Sequence, residues 1–179
     1  MSHEPLKPET HEQLSIDEHL HLRALTEPDA EVLYSLVDEN RQYLAEYLPW
    51  AAGNTPSDSL EFVKKIKQDR AAGSEYGFGI ILDGKLVGHI SLMHTGEGQE
   101  TEIGYWVSKD CSGAGLTTKA AERVTRFGLE TLGLGSIVIK AAVGNIASNK
   151  IAQNLGYEMS GVETSDNGTT INVWRKTNE

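Results

Sequence analysis

The sequence has little that marks an exported, membrane-bound or metal-binding protein. Cys111 is the single cysteine among 179 residues, so an internal disulfide is excluded and a reducing cytoplasm is the expected compartment. No apolar run approaches the ~20 residues that span a bilayer, and residues 1–8 lack the basic and apolar stretches of a secretory signal. Six histidines are present, but no cysteine or carboxylate cluster completes a metal site around them. His89 and His94 are expected on the polar face of a hairpin.

The balance of charge is acidic. Asp and Glu number 26 against 16 Lys and Arg, a net charge of −10. Such a surface repels phosphate backbones, which argues against nucleic-acid binding. It would attract a cationic partner such as an amine or a basic protein tail, and the alternative is that the charge only keeps the protein soluble. With 39% apolar residues, the chain suits one globular domain with one core.

The pattern of the chain predicts its organisation. Residues 1–14 are polar and contain Pro5 and Pro8, so we expect a loose arm there and a single domain over 15–179. Apolar runs bounded by turn residues predict strands over 19–25, 76–82, 85–92, 100–107, 136–143, 157–162 and 169–175. Helical spacing with capping and stop signals predicts helices after Thr26 and over 40–48, 56–73, 116–132 and 145–155.

Local signals add detail to the first helix and the first hairpin. Thr26 can cap the first helix, with Asp29 closing a capping box. Four apolar residues should share the buried face of that helix: Val32, Leu33, Leu36 and Val37. The dipeptide Asp83-Gly84 supplies the positive φ angles of a tight hairpin turn.

The order of elements predicts an α/β fold. The strand at 100–107, a helix and the strand at 136–143 form a βαβ crossover, so these two strands should be parallel. The other connections suit antiparallel pairs. We therefore expect a mixed sheet of about six or seven strands with helices on both faces.

A glycine-rich loop, Gly113-Ala114-Gly115, lies between a predicted strand and a helix start. A helix N-terminus presents unpaired N–H groups and the positive end of its dipole, and glycines allow a ligand to approach the backbone. The loop therefore suits an anion such as a pyrophosphate; the alternative is a simple strand-to-helix turn. Thr118 excludes the pattern Gly-x-Gly-x-x-Gly, and no Gly-Lys-Ser/Thr follows to make a Walker loop.

Three stretches, 102–107, 113–120 and 145–157, together resemble the GNAT acetyltransferases. The first position of the family's loop, Gln or Arg, would be Asp110 or Ser112 here and departs from the pattern. Stretches 22–25, 40–44 and 48–50 resemble the branch that acetylates ribosomal-protein N-termini, especially the ribosomal-protein-serine acetyltransferases. The resemblance implies acetyl-CoA as cosubstrate, without a metal. It also implies that the loop holds the pyrophosphate through six residues: Ser112, Gly113, Ala114, Gly115, Leu116 and Thr117.

The resemblance also implies roles in catalysis. Glu102 would take the proton of the amine, and Ser148 would lie near the leaving sulfur. A backbone N–H near Trp106 and Val107 would stabilise the oxyanion, on a strand that splays from its parallel neighbour, and Asn145 would hold the amide arm of the cofactor. The alternatives are a strand-edge charge for Glu102 and helix caps for Ser148 and Asn145.

The expected reaction is acetyl transfer to a primary amine by direct attack, with the N-terminal α-amine of a ribosomal protein as acceptor. A small amine, such as a polyamine or an aminoglycoside, is one alternative. A non-catalytic acyl-CoA-binding module is another. Trp50, with Tyr43 and Tyr47, would either line a substrate groove or pack between helices. The branch often forms homodimers, so a homodimer is a further expectation.

Overall fold

The structure, a computed structural model, describes residues 11–113 and 115–178. Ala114 and most of the predicted N-terminal arm therefore lie outside the described residues. Eight strands are present: β1 Gln13–Ser15, β2 Leu20–Arg23, β3 Glu75–Leu82, β4 Lys85–Met93, β5 Glu102–Val107, β6 Ser136–Ala142, β7 Glu158–Thr164 and β8 Thr170–Thr177. Five α-helices accompany them: α1 Asp29–Glu39, α2 Arg41–Ala45, α3 Pro56–Ala72, α4 Leu116–Arg126 and α5 Ile146–Asn154.

The strands form one mixed sheet in the order β1-β2-β3-β4-β5-β6-β8-β7. Among the described strands, only β5 and β6 run parallel, as the βαβ crossover predicts, and the other neighbours are antiparallel. The predicted α/β class is confirmed, with eight strands instead of six or seven. The additional strand is β1, which begins inside the predicted arm. Its Leu14 is fully buried opposite Leu22, but three residues are too few to produce a visible alternation in the sequence.

Helices cover both faces of the sheet, as predicted. Helices α4 and α5 lie over one face, where Phe78, Ile80 and Phe127 belong to the largest apolar cluster. Helices α1 and α3 pack on the opposite face around Leu33 and Val63. The apolar side chains of β5 alternate between these two clusters: Ile103, Tyr105 and Val107 join the first, and Trp106 packs against the second.

The β3–β4 hairpin confirms one local prediction and corrects another. Asp83 and Gly84 both have positive φ angles, 49° and 81°, as a tight hairpin turn requires. His89, however, is buried and not on a polar face, because α3 covers this part of β4 and Phe62 stands 5.1 Å from its ring. Burial lowers the pKa of His89 to about 3, so its imidazole is neutral at neutral pH.

The start of α1 differs from the predicted capping box. The Thr26 hydroxyl does not cap the helix; it donates to Asp29, which also accepts the Thr26 N–H at 2.7 Å. Asp29 further accepts two hydrogen bonds from Arg23, at 2.8 and 2.9 Å, so the carboxylate ties α1 to β2. Val32 is 53% exposed and does not share the buried face of the helix.

Candidate active site

A gap opens in the sheet between β5 and β6. The two parallel strands pair at one position, Glu102 opposite Val138, and no paired position follows along the described strands. Every other pair of neighbours is matched over three or more positions. The splay implied by the family resemblance is therefore present, and it leaves one edge of β5 open beyond Glu102.

The direction of the β5 amides decides which of them can serve a ligand in this gap. The Ser108 N–H donates to a β4 carbonyl at 2.8 Å. Successive amides of a strand point to alternate edges, so the N–H of Trp106 also points to β4. The N–H groups of Tyr105 and Val107 point into the gap. Of the two amides predicted for the oxyanion, the geometry thus supports Val107 and not Trp106, and it adds Tyr105.

Glu102 lies half-buried where the gap begins. Burial raises the pKa of its carboxyl, while the charges of Lys140 and His94 act to lower it. The carboxylates of Glu163 and Glu100 add to the increase. A carboxyl with a raised pKa is a stronger base than an exposed one, so the position suits removal of a proton from an amine.

Aromatic side chains stand on the same face of the sheet as Glu102. Trp106 follows Glu102 by four residues on β5, and its ring centroid lies 6.1 Å from that of Trp50. Trp50 and Tyr47 are about half-exposed, and the Tyr47 hydroxyl donates to the Gly144 carbonyl at 3.2 Å, across to the turn that follows β6. Tyr43, in contrast, packs into the cluster between the helices. The segment after α2 therefore reaches over the gap and places two aromatic rings beside it.

Ser148 lies on the opposite face of the sheet. Its side chain is buried in the first turn of α5, and its Oγ is 2.6 Å from the hydroxyl of Tyr105. This hydrogen bond joins β5 to the helix that follows β6, so it spans the gap. Tyr105 is largely buried, which raises its pKa, although the Ser148 bond acts to lower it. A hydroxyl pair in this position can supply a proton to a leaving group.

Asn145 and Asn149 hold the start of α5 in place. The Asn145 side chain accepts the Ser148 N–H at 3.2 Å, so the helix-cap alternative applies to Asn145. The Ser148 hydroxyl is not a cap, because it bonds to Tyr105. The Asn149 amide donates to two carbonyls that precede the helix, at 2.8 and 3.0 Å, and accepts from two side chains of β8. These bonds fix the position of Ser148.

The glycine loop leads from β5 to α4. Gly113 and Gly115 have φ angles of +82° and +76°, and Gly115 occupies the N-cap position of α4. A Cβ placed on either glycine would meet no atom within 4 Å, so space is free above the backbone. The loop therefore satisfies the geometry of an anion site at a helix N-terminus. Ser112 is exposed, and its hydroxyl donates to the Lys109 carbonyl at 2.6 Å, which closes the preceding 3₁₀ turn.

The two predicted residues after Gly115 form the start of α4. Leu116 is buried in the core and Thr117 is half-buried, so their N–H groups, which begin α4, are the parts available to a phosphate. Asn40, at the end of α1, anchors the start of the loop by accepting the Lys109 N–H at 2.9 Å. No local signal in the sequence indicated this contact of Asn40, because its partner lies 69 residues away.

The structure divides the predicted residues among three places. Glu102 and Trp106 share one face, Ser148 and Asn145 lie across the gap on the other, and the glycine loop follows the far end of β5. Tyr105 was missed as a functional candidate. Its odd spacing from Glu102 placed it on the opposite face, but nothing in the sequence showed that Ser148 would reach it.

Neither a metal centre nor a membrane-spanning helix is present among the described residues. Residues 11–113 and 115–178 contain no group of three or more His, Cys, Asp or Glu side chains arranged to hold a metal ion. In the same part of the chain, no helix combines the length and the apolar character that crossing a bilayer requires.

Comparisons with known proteins agree with this geometry. Residues 19–158 match the family model described as an acetyltransferase (GNAT) domain. The protein YdaF of Bacillus subtilis (strain 168) is 31% identical over 145 residues, which cover 79% of each chain. The ribosomal-protein-serine acetyltransferase of Escherichia coli (strain K12) is 28% identical over 152 residues, covering 84% of this chain and 85% of that one.

A solved structure is similar over nearly the whole chain. The microcin C7 self-immunity acetyltransferase MccE, in complex with acetyl-CoA and AMP, superposes with a TM-score of 0.84 at 25% identity. The match covers 90% of this chain and 94% of MccE.

Proposed function

Because the chain belongs to the GNAT family of acetyltransferases, we propose that it transfers the acetyl group of acetyl-CoA to the α-amine at the N-terminus of a protein. The family assignment makes the chain an acetyl-CoA-dependent N-acetyltransferase. The choice of acceptor is the proposal. It draws on the E. coli relative, whose name gives the serine of a ribosomal protein as acceptor.

The gap between β5 and β6 is the observation that carries the mechanism. It joins the face that bears Glu102 to the face that bears Ser148, with the glycine loop beyond the end of β5. A thioester arm in the gap would have the amine on one side and its departing sulfur on the other. The loop fits a pyrophosphate, since its glycines leave the backbone uncovered at the start of α4.

Different residues of the chain then serve as the base, as the donor to the oxyanion and as the acid. Glu102 takes a proton from the ammonium, directly or through water, and the free amine attacks the thioester carbon. One of the two N–H groups that face the gap, that of Tyr105 or that of Val107, stabilises the negative charge that develops on the thioester oxygen. At about 3.3 Å per residue, the two groups are too far apart to share one oxygen. A C–N bond forms and the C–S bond breaks, and the attacking nitrogen gives its second proton to water. Ser148 donates a proton to the departing sulfur, Tyr105 donates its own proton to Ser148, and water returns a proton to Tyr105.

An α-amine suits these groups better than a lysine side chain. Its pKa of ~7.7–8.0 leaves about a tenth of it neutral at pH 7, whereas a lysine at ~10.4 would require a much stronger base. The exposed rings of Tyr47 and Trp50 provide an apolar surface beside the gap for the first residues of a polypeptide.

A small-molecule amine is the second candidate, and the similarity to MccE favours it, because MccE was solved in complex with a nucleotide as well as acetyl-CoA.

A screen that measures thiol release distinguishes a protein N-terminus from a small-molecule amine as the acceptor. It presents peptides with ribosomal-protein N-termini, the same peptides with blocked α-amines, polyamines and aminoglycosides. We expect turnover only with free N-terminal peptides, with the acetyl group located at the α-amine by mass spectrometry. Turnover confined to the small amines would contradict the proposed acceptor.

A further inference from the structure

Charged side chains surround Glu102 on its own face of the sheet, and the mechanism leaves them without a role. Lys140 of β6 is placed there by register: Glu102 pairs with Val138, and Lys140 follows two residues later, so its side chain emerges on the same face. Its Nζ lies 3.3 Å from Glu163 Oε2 and 3.6 Å from Glu100 Oε1.

The two carboxylates fix the Lys140 ammonium from opposite sides of β6. Glu163 belongs to β7, two strands beyond β6, whereas Glu100 precedes β5 on the other side, where β5 and β6 are still paired. Glu100 is itself held by Arg175 of β8, at 2.8 Å. Because the lysine side chain is only 27% exposed, its charge is less screened by solvent than that of a surface lysine.

We propose that Lys140 is a positioning residue for the acid–base step: its fixed ammonium keeps the half-buried Glu102 carboxyl ionised and ready to accept a proton. The inference rests on the proposed role of Glu102. Without a nearby cation, a desolvated carboxyl keeps its proton to a higher pH, and over that range it is not ionised and cannot accept another.

The groups that face Glu102 act in opposite directions. Burial raises its pKa; Lys140 and His94 lower it, and Glu163 and Glu100 raise it. Burial also works against the charge of Lys140, but its bond to Glu163 and the nearby carboxylates, Glu102 among them, outweigh this and raise the lysine pKa. Lys140 thus stays protonated throughout the range in which Glu102 titrates, and its effect does not itself vary with pH there.

The test is a direct titration of Glu102 in the full chain, by NMR of ¹³C-labelled glutamate carboxyls, with Glu102→Gln to assign the signal. Lys140→Gln removes the charge and keeps a hydrogen-bond donor. We expect it to move the Glu102 titration to higher pH and to reduce kcat/KM on the acid side of the pH profile roughly three- to tenfold. Lys140→Arg should restore both, and Lys64→Gln, on the exposed face of α3, should change neither.

A variant on the exposed strand β7 gives a test of opposite sign. Glu163→Gln removes a carboxylate that faces Glu102 while Glu100 still holds Lys140, so it should move the Glu102 titration to lower pH. A Lys140→Gln protein that binds acetyl-CoA normally and titrates Glu102 at the wild-type pH would overturn the inference. If the titration moves while the pH profile of the rate does not, the effect of Lys140 stands and the role of Glu102 as base is lost.

Discussion

At the scale of single residues, Glu102 is the most direct test of the mechanism. If its carboxylate removes the amine proton, Glu102→Gln should lower kcat by roughly 10²–10⁴-fold, the usual range for a general base. The defect should shrink above the α-amine pKa of ~7.7–8.0, because more acceptor then arrives neutral. Steady-state rates from pH 6 to 9 measure this. Glu97→Gln, an exposed carboxylate in the β4–β5 loop, is the matched control and should retain the wild-type rate.

The hydrogen bond between Tyr105 and Ser148 predicts coupled losses. Ser148→Ala and Tyr105→Phe each remove one member of a pair 2.6 Å apart. Either change should lower kcat roughly three- to thirtyfold, a modest loss because a thiol of pKa ~8.5 is a fair leaving group. Since the two hydroxyls act as a unit, the double variant should be no slower than the slower single variant. Independent, multiplying losses would show that they do not form one proton path.

At the scale of elements, alanine variants in the loop before α4 can distinguish the cost of backbone strain from the loss of contact with the ligand. Gly113→Ala and Gly115→Ala each place a Cβ at positive φ, which should cost about 1–2 kcal/mol of stability. The added methyl meets no protein atom, so any loss of acetyl-CoA binding comes from the ligand's approach. We expect both variants to weaken binding at least tenfold by calorimetry, in line with about 1.4 kcal/mol or more of lost contact.

A control for these variants lies in the β7–β8 turn. Gly168 has a φ angle of +84° and open space around a built Cβ, so Gly168→Ala carries the same backbone cost. It should be destabilised like the loop variants and bind acetyl-CoA like the wild type. Equal binding by all three variants would place the cofactor site elsewhere.

The ion pair between β2 and α1 should make part of the free energy of unfolding depend on pH in the acid range. Arg23 chiefly lowers the pKa of Asp29 from 3.8 to about 2, against the effect of burial. A depressed pKa stabilises the fold above the unfolded value, and this contribution is lost as the pH falls from about 4 to about 2. Asp29→Asn should therefore cost about 1 kcal/mol at pH 7, after allowance for the partly exposed Arg23, and much less at pH 2.5. Urea unfolding at both pH values measures the difference; an equal cost at both would contradict it.

At the scale of the whole molecule, acetyl-CoA should stabilise the fold. Binding to the native state at a hundred times Kd contributes about 2.7 kcal/mol, which for a domain of this size raises Tm by about 5–10 °C. The net charge of −10 opposes an anionic ligand, so the gain depends on the local N–H groups at the start of α4. Thermal unfolding with acetyl-CoA, and with pantetheine as the control that lacks the pyrophosphate, should show the large shift only for acetyl-CoA. An equal shift for both would remove the loop from cofactor binding.

Across the whole molecule, the sequence determined what depends on neighbours along the chain. The Asp83-Gly84 turn, the helix start at Gly115 and the parallel pairing of β5 with β6 follow from local φ angles and from connection length. The glycine loop and the Asn145 start of α5 were visible for the same reason. Two local predictions were wrong. Strand β1 is too short to show a hydrophobic period, and the Asp29 carboxylate binds Arg23 of β2 instead of forming only a capping box.

Only the tertiary structure decided what depends on distances across the sheet. Helix α3 buries His89, and the gap beside β6 leaves amides of β5 without a partner strand. Both facts depend on residues that are far away in the sequence. The contact of Tyr105 with Ser148 and of Lys140 with Glu163 has the same origin. A sequence pattern records which face of its own element a side chain occupies; which groups meet it there, and how much water they exclude, is fixed when the strands and helices pack.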